Sequence, residues 1–186
     1  MNKKIVIFIS GKGSNAKNLI NYFSDNKELV ISHVFSNNIH SDLNSYLLNT
    51  KVQYFLFEEK EISGRVFDEL KKINPKLIIL AGFLKKIPPS YLSFFKNKII
   101  NIHPSLLPKY GGKGMYGSNI HKKVIQNKES ESGITIHYVS KDYDAGKIIF
   151  QKKIKVDKND TPKKLEEKIH KLEYEYFPKI VESLLT

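Results

Sequence analysis

The chain has 186 residues, 40% of them hydrophobic, so it is long enough for one well-buried core and short for two. It contains no cysteine, which excludes disulfides, thiolate nucleophiles and cysteine-based zinc sites and suits a reducing cytoplasm. The net charge of +12 comes from lysines spread along the chain, with Arg65 as the single arginine, which disfavours a nucleic-acid site.

Short apolar runs rich in Ile and Val predict strands that are buried on both faces, with helical spacing between them. None approaches the roughly 18 residues of a membrane helix, and the first run leads into a glycine loop rather than a signal-peptide cleavage site. The predicted strands are residues 5–9, 29–35, 54–57, 77–80 and 99–102, and the predicted helices are residues 15–23, 42–48, 63–73 and 89–95. This alternation predicts an α/β fold with a Rossmann-like open, mostly parallel sheet and helices on both faces.

The alternation of predicted strands and helices stops after about residue 130. Residues 134–139 and 148–156 predict two more strands without a helix between them, so we expect the C-terminal part of the sheet to be partly antiparallel. Thr161 and Pro162 supply an N-cap and a first-turn proline for a last helix, which Pro178 is expected to kink or divide. Because no linker is visible, we expect one domain over residues 1–186.

A glycine loop at residues 11–15 follows the first strand and opens the first helix. Its backbone N–H groups and the helix dipole favour a bound anion. The loop also fits the loose dinucleotide fingerprint, but the second strand ends without the acid that would bind the ribose of a nicotinamide cofactor. We therefore expect a phosphate monoester at Gly13, Ser14 and Asn15, with a plain tight turn as the alternative.

Two polar side chains lie on one face of the fifth predicted strand. Asn101 and His103 are two residues apart and point the same way, whereas Ile100 and Ile102 pack against the other layer. Pro104 ends the strand at its carboxyl end, where open α/β sheets place their sites. An amide and a protonated imidazole can both donate to the oxyanion of a tetrahedral intermediate, so the pair favours acyl transfer over a buried structural histidine.

Motifs for other chemistries are missing from the sequence. The six histidines show no H-E-x-x-H spacing, so no metal site is expected, and no G-x-S-x-G motif offers a covalent serine route.

The Asn-x-His-x-Ser-Leu-Leu-Pro segment of residues 101–108, with the Gly-x-Gly-Ser-Asn loop upstream and Ala-Gly-Phe at residues 81–83, resembles the folate-dependent formyltransferases. The Gly-Ser-Asn loop narrows the resemblance to the phosphoribosylglycinamide formyltransferases of purine synthesis, over nearly the whole chain. It implies that 10-formyltetrahydrofolate is the formyl-donor co-substrate and that 5'-phosphoribosylglycinamide accepts the group. We expect a cytoplasmic protein, a monomer or homodimer, that acts on small molecules without a metal, nucleic-acid or membrane partner.

The resemblance implies a set of site residues as well. Asn101 and His103 would be catalytic, with Asp144 as the third group, a carboxylate that favours the imidazolium and fixes its orientation. Implied substrate contacts are Gly13, Ser14, Asn15, His170 and Glu173. Implied folate contacts are Leu84, Lys85, Lys86, Ile87, Asn101, Ser140, Lys141, Asp142, Tyr143 and Arg65.

The residues alone leave several of these assignments open. Residues 142–146 are typical of a turn between two strands, and His170 with Glu173 is typical of an exposed helix face. His137 is either a partner behind the catalytic groups or a buried structural histidine. The glycine-rich loop at residues 110–117 has no predicted conformation.

Other functions compete with this one. Methionyl-tRNA formyltransferases share the Asn-x-His segment but carry a C-terminal tRNA domain for which this length leaves no room, and formyltetrahydrofolate hydrolases are expected to carry an N-terminal regulatory domain. A non-catalytic Rossmann-like module would instead bind arbitrary oligonucleotides in a salt-dependent way.

Overall fold

The computed structural model describes residues 2–186, and of residue 41 only the backbone. Within these residues one sheet carries helices on both faces. Its strands are β1 Lys3–Ile9, β2 Leu29–Ser36, β3 Gln53–Leu56, β4 Leu77–Leu80, β5 Ile99–His103, β6 Glu131–Tyr138 and β7 Ile148–Lys155. The helices are α1 Ser14–Tyr22, α2 Ser41–Leu47, α3 Phe67–Ile73, α4 Pro89–Phe94, α5 Ser118–Gln126 and α6 Pro162–Ser183. No helix in the described part of the chain has the length and apolarity needed to cross a bilayer.

The strand order places the carboxyl ends of β1, β4 and β5 side by side. The order is β3-β2-β1-β4-β5-β6-β7, with parallel pairing from β3 through β5 and antiparallel pairing of β5 with β6 and of β6 with β7. Strand order reverses between β1 and β4, and ligands bind outside the carboxyl ends at such a switch point. The predicted mostly parallel sheet with a partly antiparallel C-terminal part is confirmed.

The central strands divide the core into two layers. In β1, Ile5, Ile7 and Ile9 face α1, α5 and α6, whereas Val6 and Phe8 face α3 and α4, and all five are completely buried. Because both faces of the sheet are covered, apolar residues are continuous along these strands and do not alternate with polar ones.

Two local elements differ from the sequence-based expectation. Helix α5 is not predicted, because its apolar positions Ile120 and Val124 span little more than one turn after a glycine-rich loop. Residues Ile62–Val66 begin the third predicted helix as a π-helical turn before α3 continues from Phe67.

Helix α6 is continuous through Pro178, so the expectation that this proline divides the helix is wrong. Proline has no N–H, which leaves the carbonyl of Tyr174, four residues earlier, without its helical donor. Asn18 of α1 supplies one, because its Nδ2 donates to the Tyr174 carbonyl at 3.0 Å. The side chain of a neighbouring helix thus replaces the missing backbone bond. Thr161 caps the helix as expected, accepting from the N–H of Lys164.

Replacing Asn18 by Ala should lower the free energy of unfolding by about 1 kcal/mol, because the Tyr174 carbonyl loses its donor. The same change should cost less in a Pro178→Ala background, where residue 178 regains an N–H for that carbonyl. Urea unfolding of the two single variants and the double variant measures this coupling. Equal costs in both backgrounds would contradict the assignment.

Candidate active site

Strand β5 brings Asn101 and His103 to the carboxyl edge of the sheet, where both meet Asp144. The Nδ2 atom of Asn101 lies 3.4 Å from Oδ1 of Asp144, and Nδ1 of His103 lies 3.6 Å from the same oxygen. The two side chains therefore share a face, while Ile100 and Ile102 pack in the layer of α5 and α6. The three groups implied to be catalytic converge at one point.

Asp144 reaches this point from the turn between β6 and β7. Its backbone is in the left-handed region, with φ 53°, and its side chain is 11% exposed. Oδ2 accepts the backbone N–H of Gly112 at 2.9 Å, and Oδ1 also lies 3.7 Å from Nε2 of His137. The expected turn is present, and it carries a buried carboxylate with both oxygens in contact.

The same turn depends on Gly146, where the chain passes close to β6. A Cβ at this position would lie 1.6 Å from the carbonyl oxygen of Tyr138. Only glycine allows this approach, so the glycine two residues after Asp144 has a steric reason.

Burial and charge act in opposite directions on His103. Burial lowers the pKa of its imidazole below the ordinary value, although the Asp144 carboxylate and the Tyr110 carbonyl raise it. The Asp144 carboxylate does favour the imidazolium, as expected, but burial lowers the pKa by more than the carboxylate raises it. His103 is therefore a neutral imidazole near pH 7.

For the pKa of Asp144, the contacts outweigh burial. Burial by itself raises the pKa of its carboxyl, but the imidazoles of His137 and His103 and the N–H of Gly112 lower it below the ordinary value on balance. Asp144 is therefore ionised at neutral pH.

Two backbone carbonyls assign the histidine tautomers, because a carbonyl can only accept. Nε2–H of His103 donates to the Tyr110 carbonyl at 2.7 Å, which leaves Nδ1 as the basic nitrogen beside Asp144. Nδ1–H of His137 donates to the Tyr138 carbonyl at 2.9 Å, so its Nε2 accepts from Asn101 at 3.1 Å. His137 thus orients the Asn101 amide.

The glycine loop opens α1 with free backbone donors. Gly13 is the N-cap residue with φ 74°, and a Cβ there would lie 2.9 Å from Cδ2 of Leu43. Among the described residues no side chain caps α1 and no acid lies in its first turn. The first N–H groups of the helix, from Ser14 and Asn15, are therefore available to an anion.

Helix α6 closes this side of the site. Glu173 is 5% exposed and accepts from Nδ2 of Asn15 at 2.9 Å. Burial raises the pKa of the Glu173 carboxyl, and the Asn15 hydrogen bond and the nearby His170 oppose the rise. The interpretation of this pair as an exposed helix face is wrong for Glu173, because α1 packs over it.

The predicted residues line two adjoining cavities. A cleft of about 600 Å³ is lined by the glycine loop, His170, Glu173 and Leu84, together with residues 112–117. A smaller cavity of about 60 Å³ is lined by the remaining implied folate contacts other than Arg65, which are Lys85, Lys86, Ile87, Asn101, Ser140, Lys141, Asp142 and Tyr143. Asn101 and Asp144 line both cavities and lie at their junction, and His103 lines the larger cleft beside them.

Arg65 does not line either cavity. Its Nη1 lies 2.6 Å from Oε1 of Glu61, and its guanidinium carbon lies 4.5 Å from the ring centroid of Phe55. Within residues 2–186 no group of three or more His, Asp or Glu side chains is arranged to hold a metal ion.

Two backbone contacts to the site were not predicted from the sequence. The Tyr110 carbonyl binds His103, and the Gly112 N–H binds Asp144. The glycine-rich composition of this loop was the available signal, but backbone contacts leave no side-chain pattern from which to assign them.

Comparisons with known proteins point to one family. The profile of the Formyl transferase family matches residues 3–181. The chain is 34% identical to "Phosphoribosylglycinamide formyltransferase, chloroplastic" of Arabidopsis thaliana, over 96% of this chain and 64% of that protein. It is 32% identical to phosphoribosylglycinamide formyltransferase of Bacillus subtilis, over 98% of this chain and 95% of that protein. The chain thus spans less than two thirds of the plant protein.

A solved structure shows the same fold. The crystal structure of phosphoribosylglycinamide formyltransferase from Anaplasma phagocytophilum superposes with a TM-score of 0.87 at 32% identity, covering 98% of this chain and 86% of that one.

Replacing Asp144 by Asn should lower the pKa of the His103 imidazole further, because the carboxylate is the contact that raises it most. A titration of the imidazole nitrogens by NMR measures the change. Asp142→Asn, which alters an exposed carboxyl in the same turn, is the control. An unchanged or higher His103 pKa in the Asp144 variant would contradict the electrostatic account.

Proposed function

Because the chain belongs to the formyl transferase family, among its phosphoribosylglycinamide formyltransferases, we propose that it transfers a formyl group from 10-formyltetrahydrofolate to the amine of 5'-phosphoribosylglycinamide. This reaction is a step of de novo purine (IMP) biosynthesis. The observation that carries the proposal is the convergence of Asn101, His103 and Asp144, of which Asn101 and Asp144 line both cavities.

The implied contacts assign the two substrates to opposite sides of the junction. The larger cleft opens onto the helix N-terminus at Ser14 and Asn15, where backbone N–H groups suit the phosphate of the ribosyl substrate. His170 and Glu173 line the same cleft and are assigned to the rest of that substrate. The smaller cavity carries most of the residues implied for the folate, so we assign the formyl donor to that side.

The reaction is a direct transfer through a tetrahedral intermediate. The substrate amine attacks the formyl carbon, and the carbonyl oxygen becomes an oxyanion. The Asn101 amide can turn to it from Asp144, because its 3.4 Å contact there is longer than its 3.1 Å bond to His137.

His103 moves the proton in this scheme. Its neutral Nδ1 accepts a proton from the attacking amine, and the resulting imidazolium lies beside the Asp144 carboxylate. The protonated Nδ1 can donate to the oxyanion and then deliver the proton to the departing folate nitrogen. The intermediate collapses to the N-formyl product and tetrahydrofolate, so the histidine ends neutral.

The remaining features of the proposal concern the protein as a whole. We assign residues 1–186 to one formyltransferase domain that acts on small molecules without a metal ion. A cytoplasmic location and a monomeric or homodimeric state stay predictions.

Replacing His103 by Ala should lower kcat by a factor on the order of 10²–10⁴, because proton transfer loses its carrier. Asp144→Asn should also lower kcat, because the imidazolium loses its counter-charge. The absorbance change of folate deformylation, followed with and without 5'-phosphoribosylglycinamide, measures turnover. His33→Ala on β2 is the matched control, and full turnover in either site variant would remove that residue from the mechanism.

Replacing Gly13 by Ala should raise the KM for the phosphorylated substrate roughly tenfold with kcat nearly unchanged, because uniform binding is lost. The new Cβ meets Leu43 and forces the loop out of its positive-φ conformation. Gly64→Ala, where a Cβ meets nothing within 4 Å, is the control. Equal KM values in both variants would show that the loop does not bind the phosphate.

A further inference from the structure

We propose that Tyr110 is a positioning residue for His103, and that its hydroxyl acts by anchoring the loop of residues 110–112 to the turn between α5 and β6. The effect on activity rests on the proposed function. The effect on the histidine tautomer does not, since it is a property of the free protein.

The inner end of this loop holds two of the three convergent side chains. The Tyr110 carbonyl accepts from Nε2–H of His103 at 2.7 Å, and two residues later the Gly112 N–H donates to Oδ2 of Asp144 at 2.9 Å. Gly111 lies between them, where a Cβ would be 2.5 Å from Cδ2 of Leu107. One short backbone segment therefore orients both the base and its carboxylate.

The outer end of the loop is tied down through the Tyr110 side chain. Its hydroxyl donates to Oε1 of Glu129 at 2.9 Å and accepts from Nδ2 of Asn127 at 2.8 Å. Hydrogen bonds from Lys109 and Tyr110 lower the pKa of the Glu129 carboxyl, so it stays an acceptor at neutral pH. Asn127 and Glu129 belong to the turn that leads from α5 into β6, which is held by the sheet.

The backbone conformation of Tyr110 shows that this anchor acts against a local preference. Its φ of 56° lies in the left-handed region that residues other than glycine rarely adopt. Such a conformation persists where surrounding contacts determine it. Without the hydroxyl contacts, residue 110 can relax toward negative φ, which turns its carbonyl away from His103.

A second set of contacts could hold the loop without Tyr110. The Ser105 hydroxyl donates to the Lys109 carbonyl at 2.7 Å, and the Leu107 N–H donates to Oγ1 of Thr135 at 3.0 Å. These contacts end one residue before Tyr110. If they were sufficient to hold the loop, removing the Tyr110 hydroxyl alone would leave the carbonyl of residue 110 bound to His103.

The carbonyl of residue 110 matters because it selects the tautomer of His103. While Nε2 is protonated and bound, Nδ1 is the free base beside Asp144. If the carbonyl turns away, the proton can move to Nδ1, and the histidine in that form cannot accept the amine proton at this position.

The test is Tyr110→Phe, examined by imidazole nitrogen NMR and by steady-state kinetics. We expect the Nε2–H form of His103 to fall from dominant to mixed, and kcat to fall roughly tenfold with KM unchanged within about twofold. The acid limb of the kcat profile should move to lower pH, because the carbonyl bond that raises the His103 pKa is weakened.

Variants of the partner residues separate anchoring from folding. Glu129→Gln keeps an acceptor and should retain the wild-type tautomer and kcat, whereas Glu129→Ala should shift both in the direction of Tyr110→Phe. Tyr22→Phe is the matched control, because the Tyr22 hydroxyl also donates to a glutamate, Glu182 at 2.8 Å, away from both cavities. Lys109 Nζ also binds Glu129, at 3.1 Å from both oxygens, so if Tyr110→Phe does not fold, Asn127→Ala decides, because it removes a partner of the hydroxyl and leaves that ion pair in place.

A wild-type tautomer and kcat in Tyr110→Phe would overturn the inference and leave the contacts of Ser105 and Leu107 as sufficient. If the wild-type protein transfers no formyl group, the proposed function fails, but the NMR comparison still tests the positioning role.

Discussion

The site depends on one buried carboxylate oxygen. Oδ1 of Asp144 faces the amide of Asn101 and the imidazoles of His103 and His137, with distances from 3.4 to 3.7 Å. A charge with so little exposure needs hydrogen-bond donors, which here are the Asn101 amide at Oδ1 and the Gly112 N–H at Oδ2, and removing either leaves it undercompensated. Strand β5, the β6–β7 turn and the loop after β5 meet at this carboxylate, the loop through the Gly112 N–H at Oδ2.

The electrostatic consequence is a neutral base held beside an ionised carboxylate. Burial keeps the His103 imidazole neutral, whereas the contacts that lower the pKa of Asp144 outweigh its burial and keep it ionised. A neutral base that is next to a carboxylate can take a proton without creating an isolated buried charge. On the far side of the cleft, burial raises the pKa of the Glu173 carboxyl, whereas the pKa of Asp144 is lowered. Asn15 of the glycine loop is the main polar partner of Glu173.

Bonds between separate elements hold the frame of the site. Asn18 of α1 supplies the donor that Pro178 denies to α6, and Asn15 of the same helix binds Glu173. Both contacts join α1 to α6. The glycine loop therefore sits on a helix that is fastened to the element carrying Glu173.

The sequence by itself determined the sheet, because apolar runs and their spacing depend only on neighbours along the chain, and strands β1 to β5 lie within one or two residues of their predicted bounds. It also placed Asn101 and His103 on one face, since side chains alternate along any strand. Helix α5, the continuity of α6 through Pro178 and the contacts of Tyr110 and Gly112 were decided only by the tertiary structure. Each depends on groups far apart in sequence or on backbone atoms that every residue shares. The balance that leaves His103 neutral was likewise decided there, because burial is a property of the packed molecule rather than of the residue.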